Sequence, residues 1–275
     1  MRFTKLQATG NDFVLLDQRQ EELPEEMLPS LAQSLCDRHF GIGADGLLLL
    51  MGSEHGDFRM RMFNPDGTED MCGNGLRCLV RYLMEEGQTA EANWQIETIA
   101  GLRCVQGTIA DGKARISVNM GKPIFEPAAL PALFQANPIV DQPLEVNGER
   151  HLVTCLSLGT PHACLFPGAP VEDETFLRLS PLIEQHPCFP ERTSVLWVHP
   201  LSADHLLLRI WERAVGETLS CGTGACAALV AAHLKGLSRR SAAIESRGGV
   251  LEVVWQEDDT LLKSGPAEIV FTGWV

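Results

Sequence analysis

Two nine-residue stretches of this chain resemble each other around a shared Cys-Gly-x-Gly. Gly67-Thr68-Glu69-Asp70-Met71-Cys72-Gly73-Asn74-Gly75 returns as Gly216-Glu217-Thr218-Leu219-Ser220-Cys221-Gly222-Thr223-Gly224, a shift of 149 residues. Gly10 before Asn11 matches Gly159 before Thr160 at the same shift, and Ile96-Glu97-Thr98 matches Ile244-Glu245-Ser246 at 148. A nearly constant offset over about half of the chain marks a duplicated unit. The 275 residues are therefore expected to form two equivalent lobes. Each copy places one cysteine in a Cys-Gly-x-Gly turn. If the halves pack about a pseudo-twofold axis, Cys72 and Cys221 face each other across the cleft between them. That arrangement suits the handling of a proton from both faces of one carbon.

Around the repeat, apolar residues alternate between strand and helix spacing. Val14-Leu15-Leu16, Leu47 to Met51 and Phe58 to Phe63 read as strands, the last stopping at the turn Asn64-Pro65-Asp66-Gly67. Glu25 to Arg38 reads as a surface helix with Leu28, Leu31 and Leu35 on one side. A helix from Cys72 through Leu76, Leu79, Val80 and Leu83 ends near Gly87, and strands Trp94 to Ile99, Leu102 to Ile109 and Ala114 to Met120 follow. Pro123 to Pro143, rich in proline and alanine, reads as an irregular link between the units. The second half repeats the order, with strands in Val153 to Phe166, a helix from Val171 to His186, and strands Ser194 to His199 and His205 to Glu212. A helix from Cys221 through Ala227, Leu229, Val230 and Leu234 leads to Gly236, and strands Ala242 to Glu245, Val250 to Trp255 and Glu268 to Phe271 close the chain. Both cysteine helices are apolar on nearly every face, so each is expected inside a sheet. The expected fold is mixed α/β (α+β): two pseudosymmetric lobes, 1–119 and 120–266, each a mixed sheet around a central helix.

Charge and motif content exclude several classes of function. A formal charge of −14, from 22 basic against 36 acidic residues, repels phosphate backbones and anionic lipid, so neither nucleic acid nor membrane is an expected partner. No Gly-x-Gly-x-x-Gly follows a strand, no Walker lysine motif occurs, and Lys235 and Lys263 sit in no phosphate-binding frame, which leaves nucleotide cofactors and pyridoxal phosphate without support. The nine cysteines are odd in number and scattered, with no zinc-site or redox-dithiol spacing, so no metal and reduced thiols are expected. Lys5, Asp12 and Asp17 interrupt the start of the chain, where a secretory signal would be continuous and apolar, and a cytoplasmic protein is expected.

Glycine on both sides of a residue allows a sharp turn with exposed amides, and a helix start adds unpaired N–H groups and about half a positive charge. Gly73-Asn74 and Gly222-Thr223 could thus donate amides to one carboxylate, with the Cys72 and Cys221 thiols expected to titrate below about 8.5 at the same helix starts. Cys36, Cys78, Cys104, Cys155, Cys164, Cys188 and Cys226 lack the symmetric glycine frame and read as structural. Moving an α-proton of an amino acid from one face to the other requires a base, an acid and stabilisation of the carbanion. Thiolate and thiol supply the first two, and the gripped carboxylate supplies the third, so no cofactor is required.

Gly10-Asn11-Asp12-Phe13, Gly41-Ile42-Gly43-Ala44-Asp45, Phe63-Asn64-Pro65-Asp66-Gly67, Cys72-Gly73-Asn74-Gly75-Leu76-Arg77-Cys78, Pro161-His162, Pro190-Glu191-Arg192, Trp211-Glu212-Arg213 and Cys221-Gly222-Thr223-Gly224-Ala225-Cys226 resemble the diaminopimelate epimerase family, collinearly from end to end. The resemblance implies an active site between two lobes, residues 267–275 returning to the first lobe, a cofactor-independent two-base mechanism, and a homodimer. It implies that Cys72 and Cys221 are the acid/base pair, with His162 and Glu212 tuning them. It also implies that the Gly73, Asn74, Gly222 and Thr223 amides hold the reacting carboxylate, while Asn11, Asn64, Glu212 and Arg213 contact the rest of the substrate. Thr160 and Ser194 occupy substrate-binding positions where the family usually has asparagine. Gly46 stands where many members have glutamine, and Phe271 where some have a tyrosine near the dimer contact. The implied reaction converts LL-diaminopimelate to the meso isomer, a precursor of lysine and peptidoglycan. Residue by residue, other readings stay open: His162 as a loop histidine, Glu212-Arg213 as a solvated ion pair, and Asn64 as a turn former. For the whole chain the alternatives are a racemase of another amino acid, such as histidine, and a non-catalytic binding protein with a regulatory cysteine pair.

Overall fold

The helices that follow the two repeated cysteines are buried along most of their length, and the strands around them follow one plan. The structure, a computed structural model, describes residues 1–20 and 23–275. The chain forms two compact units, Met1–Asn119 with Ser264–Val275, and Met120–Lys263. In the first, β1 (Arg2–Ala8), β2 (Asn11–Asp17), α1 (Leu28–Cys36), β3 (Gly46–Met51), β4 (Phe58–Phe63) and β5 (Glu69–Asp70) precede α2 (Gly73–Glu86), β6 (Glu91–Thr98), β7 (Gly101–Ala110) and β8 (Lys113–Asn119). In the second, β9 (Ile139–Val146), β10 (Glu149–Ser157), β11 (Pro161–Leu165), α3 (Asp173–Glu184), β12 (Ser194–Ser202), β13 (His205–Glu212) and β14 (Gly216–Thr218) precede α4 (Gly222–Leu234), β15 (Ser241–Ser246) and β16 (Gly249–Trp255), and β17 (Leu261–Gly265) begins in the second unit and ends in the first. The last strand, β18 (Glu268–Trp274), belongs to the first unit and pairs antiparallel with β1.

The duplication extends to strand pairing and register. In the first unit β1 and β2 are antiparallel, β2 and β3 parallel, β3 and β4 antiparallel, β4 and β6 parallel, and β6 and β7 antiparallel. The pairs β10–β11, β11–β12, β12–β13, β13–β15 and β15–β16 repeat these senses in the same order. Phe13 lies opposite Gly46 as His162 lies opposite Ser194, and Phe58 lies opposite Ile96 as Leu206 lies opposite Ile244. Parallel neighbours require a crossover, and helices provide it: α1 and α3 in the first parallel pair of each unit, α2 and α4 in the second. The mixed α/β class read from the sequence holds.

Several boundaries differ from the sequence reading for local reasons. The helix expected from Glu25 opens as a 3-10 turn, Glu25–Met27, and becomes α-helical at Leu28. It stops at Cys36 because Asp37 is extended and its carboxylate takes the His39 and Phe40 N–H groups, both at 2.7 Å. The stretch expected to be irregular enters strand β9 at Ile139. Among the described residues β9 pairs with β10 alone, an edge position that tolerates Pro143. The short strands β5 and β14, and β1, β9 and β17, go beyond what periodicity picks out. No helix among the described residues is long and apolar enough to cross a membrane.

In α4, Gly224 to Ala232 are all buried, packed against Leu156, Leu196, Leu206, Ile244 and Val253. Leu229 is fully enclosed there. Leu229→Ala should therefore lower unfolding stability by about 3 kcal/mol, read from urea denaturation midpoints. A loss under about 1 kcal/mol would mean that the site collapses around the vacancy or that the helix is not central to its unit.

Candidate functional site

In the first unit Cys72 is the N-cap of α2, with extended backbone at φ −126° and ψ 118°. Its Sγ accepts the Gly75 N–H at 3.5 Å, and its carbonyl accepts the Leu76 N–H at 2.9 Å. The Gly73 and Asn74 amides lie before the first intrahelical bond and are donors by position. Asn11 opens β2 after a turn in which Thr9 and Gly10 both have positive φ, 51° and 81°. The Cys72 thiol donates to Asn11 Oδ1 at 3.7 Å, and Asn74 Nδ2 donates to the same oxygen at 3.2 Å. Asn11 Nδ2 in turn donates to Asp45 Oδ2 at 2.7 Å, and Asp45 is held by Arg38 at 2.7 Å. Asn11, Cys72 and Asn74 thus form one connected group. Asn64 sits in the β4–β5 turn, where its Nδ2 donates to Thr68 Oγ1 at 3.1 Å.

In the second unit Cys221 is the N-cap of α4 with nearly the same backbone, φ −130° and ψ 119°. Its carbonyl accepts the Ala225 N–H at 2.9 Å, which leaves Gly222 and Thr223 in the positions of Gly73 and Asn74. Cys221 Sγ lies 3.4 Å from Thr223 Oγ1. Glu212, the last residue of β13, accepts the Thr218 hydroxyl at 2.6 Å and acts electrostatically on Cys221. Ser194 begins β12, is 2% exposed, and its Oγ accepts the Arg213 N–H at 3.1 Å. His162 lies opposite Ser194 on β11, and Thr160 occupies the turn just before it. Cys221, Glu212 and Thr223 form one group, and His162, Ser194 and Arg213 a second on adjoining strands.

The motif glycines serve close packing as well as the turn. Gly222 and Gly224 lie inside the helix, and a Cβ at Gly222 would collide with Lys263 Nζ, while one at Gly224 would sit 3.1 Å from Leu196 Cδ2. A Cβ at Gly75 would lie 2.8 Å from Leu48 Cδ2. Gly46 is closed in the same way, with Phe63 O and Met62 Cε each 3.1 Å from a Cβ there.

The two thiols are not electrostatically alike. Burial, then the Glu212 carboxylate, pushes the Cys221 thiol well above the ordinary range, against partial lowering by Thr223 and Gly224. This corrects the expectation that the helix start would lower it: desolvation of a wholly buried sulfur outweighs a partial dipole charge. Cys221 is a stable neutral thiol in this structure. His162 is 1% exposed with neither ring nitrogen partnered among the described residues, and burial followed by the Arg213 charge pulls its pKa down to about 3. Asn74 Oδ1 is likewise buried without a partner among the described residues. Unpaired buried polar atoms are uncommon in native proteins, and their presence at these groups marks a place where a polar ligand can supply what is missing.

Sequence reading missed the supports of these groups: Asp45 and Thr9 beside Asn11, Thr218 on Glu212, and Ser194 as an acceptor for the Arg213 backbone. None has a signature of its own, although Asp45 ends a motif already quoted.

A histidine kept neutral by burial has a pH consequence. The unfolded chain binds a proton on His162 below about 6.5 and the folded chain does not until about 3, so stability supplied by neutral His162 is full above 6.5 and is lost as pH falls toward 3. His162→Gln should flatten the decline in unfolding free energy between pH 6.5 and 4.5, measured by urea titration. An identical slope in the variant would contradict the burial of a neutral imidazole.

The sequence profile of the diaminopimelate epimerase family matches residues 3–126 and 154–270. The diaminopimelate epimerase of Moorella thermoacetica is 44% identical over 280 residues, covering 99% of this chain and 98% of that protein. That of Pelotomaculum thermopropionicum is 42% identical over 275 residues, with 99% and 98% covered. Among solved structures, a hydroxyproline epimerase from Agrobacterium vitis superposes with a TM-score of 0.70 at 16% identity, covering 99% of this chain and 91% of that one. A phenazine biosynthesis protein from Bacillus anthracis gives 0.69 at 18%, covering 100% and 98%. At such identities the structural likeness speaks for the fold alone. With the sequence matches spanning nearly the whole chain, this protein belongs to the diaminopimelate epimerase family.

Proposed function

We propose that this chain converts LL-diaminopimelate to meso-diaminopimelate with Cys72 and Cys221 as the acid/base pair and without a cofactor. The observation that carries this reading is the equivalence of the two cysteines: each is the N-cap of a buried helix with matching φ and ψ, and each precedes two amides with no helical acceptor. A carboxylate fits those amides and the positive ends of both helix dipoles. The thiolate of one cysteine removes the α-proton, the electron pair delocalises into the carboxylate held by the amides of Gly73, Asn74, Gly222 and Thr223, and the other thiol returns a proton to the opposite face. Burial and Glu212 disfavour an anion at Cys221, so before substrate binds it is the cysteine suited to hold the proton, and acid and base exchange roles in the reverse direction.

Diaminopimelate carries a second amino-acid centre, which needs an anion and a cation partner. Glu212 and Arg213 supply one of each, and Asn11 and Asn64 add amides. Ser194 supports this pair indirectly, because its hydroxyl accepts the Arg213 N–H. Thr160 is shorter than asparagine, so part of the distal contact runs through water. A cytoplasmic location belongs to the same reading, because a precursor of lysine and the cell wall is made where those syntheses start. A homodimer is supported by the exposed apolar side chains Val270, Phe271 and Trp274 on β18, which pairs only with β1 among the described residues.

Cys72→Ala and Cys221→Ala should each lower inversion by about two to four orders of magnitude without added cofactor. Full inversion by either variant would refute the two-thiol assignment. Turnover on LL-diaminopimelate should far exceed that on single-centre amino acids including histidine, since a site with unmet polar groups rejects a shorter ligand. Rapid histidine racemisation with negligible diaminopimelate turnover would change the substrate and leave the thiol chemistry in place. Phe271→Glu should shift the protein toward monomer in analytical ultracentrifugation, and an unchanged mass distribution would place any dimer contact elsewhere.

A further inference from the structure

Arg77 lies in the second turn of α2 and is the bulkiest of the fully buried side chains. Its Nη2 donates to Thr9 Oγ1 at 3.0 Å and its Nε to Pro266 O at 3.2 Å, while Nη1 has no partner among the described residues. Neither acceptor is a carboxylate. A guanidinium stays protonated in proteins, so a full positive charge is enclosed here without an anion, which is costly unless a negative group lies within reach.

The ionisable groups acting on Arg77 are Cys78 and Cys72. Cys78 is wholly buried and desolvation pushes its thiol far above the ordinary range, so it stays neutral. Asp12, on β2, acts on Cys78 but is paired with Lys5 of β1 at 2.6 Å and with Arg38 at 2.7 Å. As for the other charged groups on strands packed against α2, β3 has none, Arg61 of β4 is paired with Glu25 and Glu69, Asp17 of β2 with Arg19 and Glu97 of β6 with Arg59. Glu91 of β6 is exposed, β7 and β8 bring the cations Arg103, Lys113 and Arg115, and Glu268 of β18 takes the Gln7 amide. The half-buried Cys72 is the group left to carry the negative charge. The same guanidinium holds the hydroxyl of Thr9, a β-branched residue at φ 51°, two positions before the Asn11 that meets Cys72 Sγ. The second unit is different: Cys226 stands where the repeat places Arg77, and the charged group beside Cys221 is the Glu212 carboxylate.

We infer that Arg77 is a positioning residue for Cys72, its buried charge lowering the cost of forming a thiolate there while its hold on Thr9 fixes the turn whose Asn11 Oδ1 accepts the proton of the neutral thiol. The inference rests on the two-thiol reading above and makes the pair unequal by construction, with the cation behind one sulfur and the carboxylate beside the other.

The test is the pH dependence of iodoacetamide alkylation in the full chain, with Cys72 and Cys221 followed separately by peptide mass spectrometry and no substrate present. In the unmodified protein Cys72 should alkylate with a midpoint below that of a free thiol, about 8.5, and below that of Cys221. Arg77→Met should raise the Cys72 midpoint by about one unit, Arg77→Lys should recover most of that shift, and Cys221 should not move in either. A folded Arg77→Met protein with an unshifted Cys72 midpoint would overturn the inference. Should that variant fail to fold, a midpoint for Cys72 at or above 8.5 in the unmodified protein overturns it equally. The predicted shift in a protein that turns over no diaminopimelate would support Arg77 in this role and remove the substrate assignment instead.

Discussion

The site depends on one constraint: a helix enclosed by strands along its length can present polar backbone only at its ends. Along α2 and α4 the N–H and C=O groups satisfy one another, and most side chains face apolar neighbours, with Arg77, Tyr82 and the Arg81–Glu85 pair of α2 as polar exceptions. What remains for chemistry is the first turn, where two amides have no helical acceptor. Each unit places a cysteine at that point with the same backbone conformation. Beside Cys221 glycine is needed because Lys263 comes too close for a side chain at Gly222, and further round each first turn Leu48 closes on Gly75 and Leu196 on Gly224. Core packing and anion binding are thus met by the same few residues, which explains why the two copies have kept Cys-Gly-x-Gly while their other side chains diverged.

Within this shared frame the surroundings of the sulfurs differ. Cys72 meets an amide network running through Asn11 and Asn74 to Asp45. Cys221 is more deeply buried and has a carboxylate beside it. Divergence at single positions thus gives the two sulfurs different polar neighbours.

The duplication, the strand and helix order and the two cysteine helices were legible in the sequence because each leaves a local periodic or repeated mark. Phe58 to Phe63 alternates cleanly and is a strand over those residues. What was not legible depends on tertiary contact. β5 and β14 are too short for periodicity to register, and β9 begins within a proline-rich stretch that an edge position accommodates. The helix start suggested a lowered Cys221 pKa, but the sequence does not reveal how completely the sulfur is desolvated, and desolvation won. The sequence reads Ser194 as a shortened substrate contact, and only the structure reveals that its hydroxyl also accepts the Arg213 N–H. Arg77 sat in plain view within a quoted motif, and only its burial without a carboxylate gives it meaning.

The central claim is that a thiolate and a thiol, neither sharing its proton with the other, work on opposite faces of one carbon. The most direct measurement is the fate of the α-hydrogen when LL-diaminopimelate is turned over in heavy water and both isomers are recovered early. Two monoprotic bases require deuterium at the inverted centre of the meso product while the remaining LL substrate keeps its original hydrogen. Product that retains the substrate hydrogen, or substrate that gains deuterium as fast as product forms, would contradict the account.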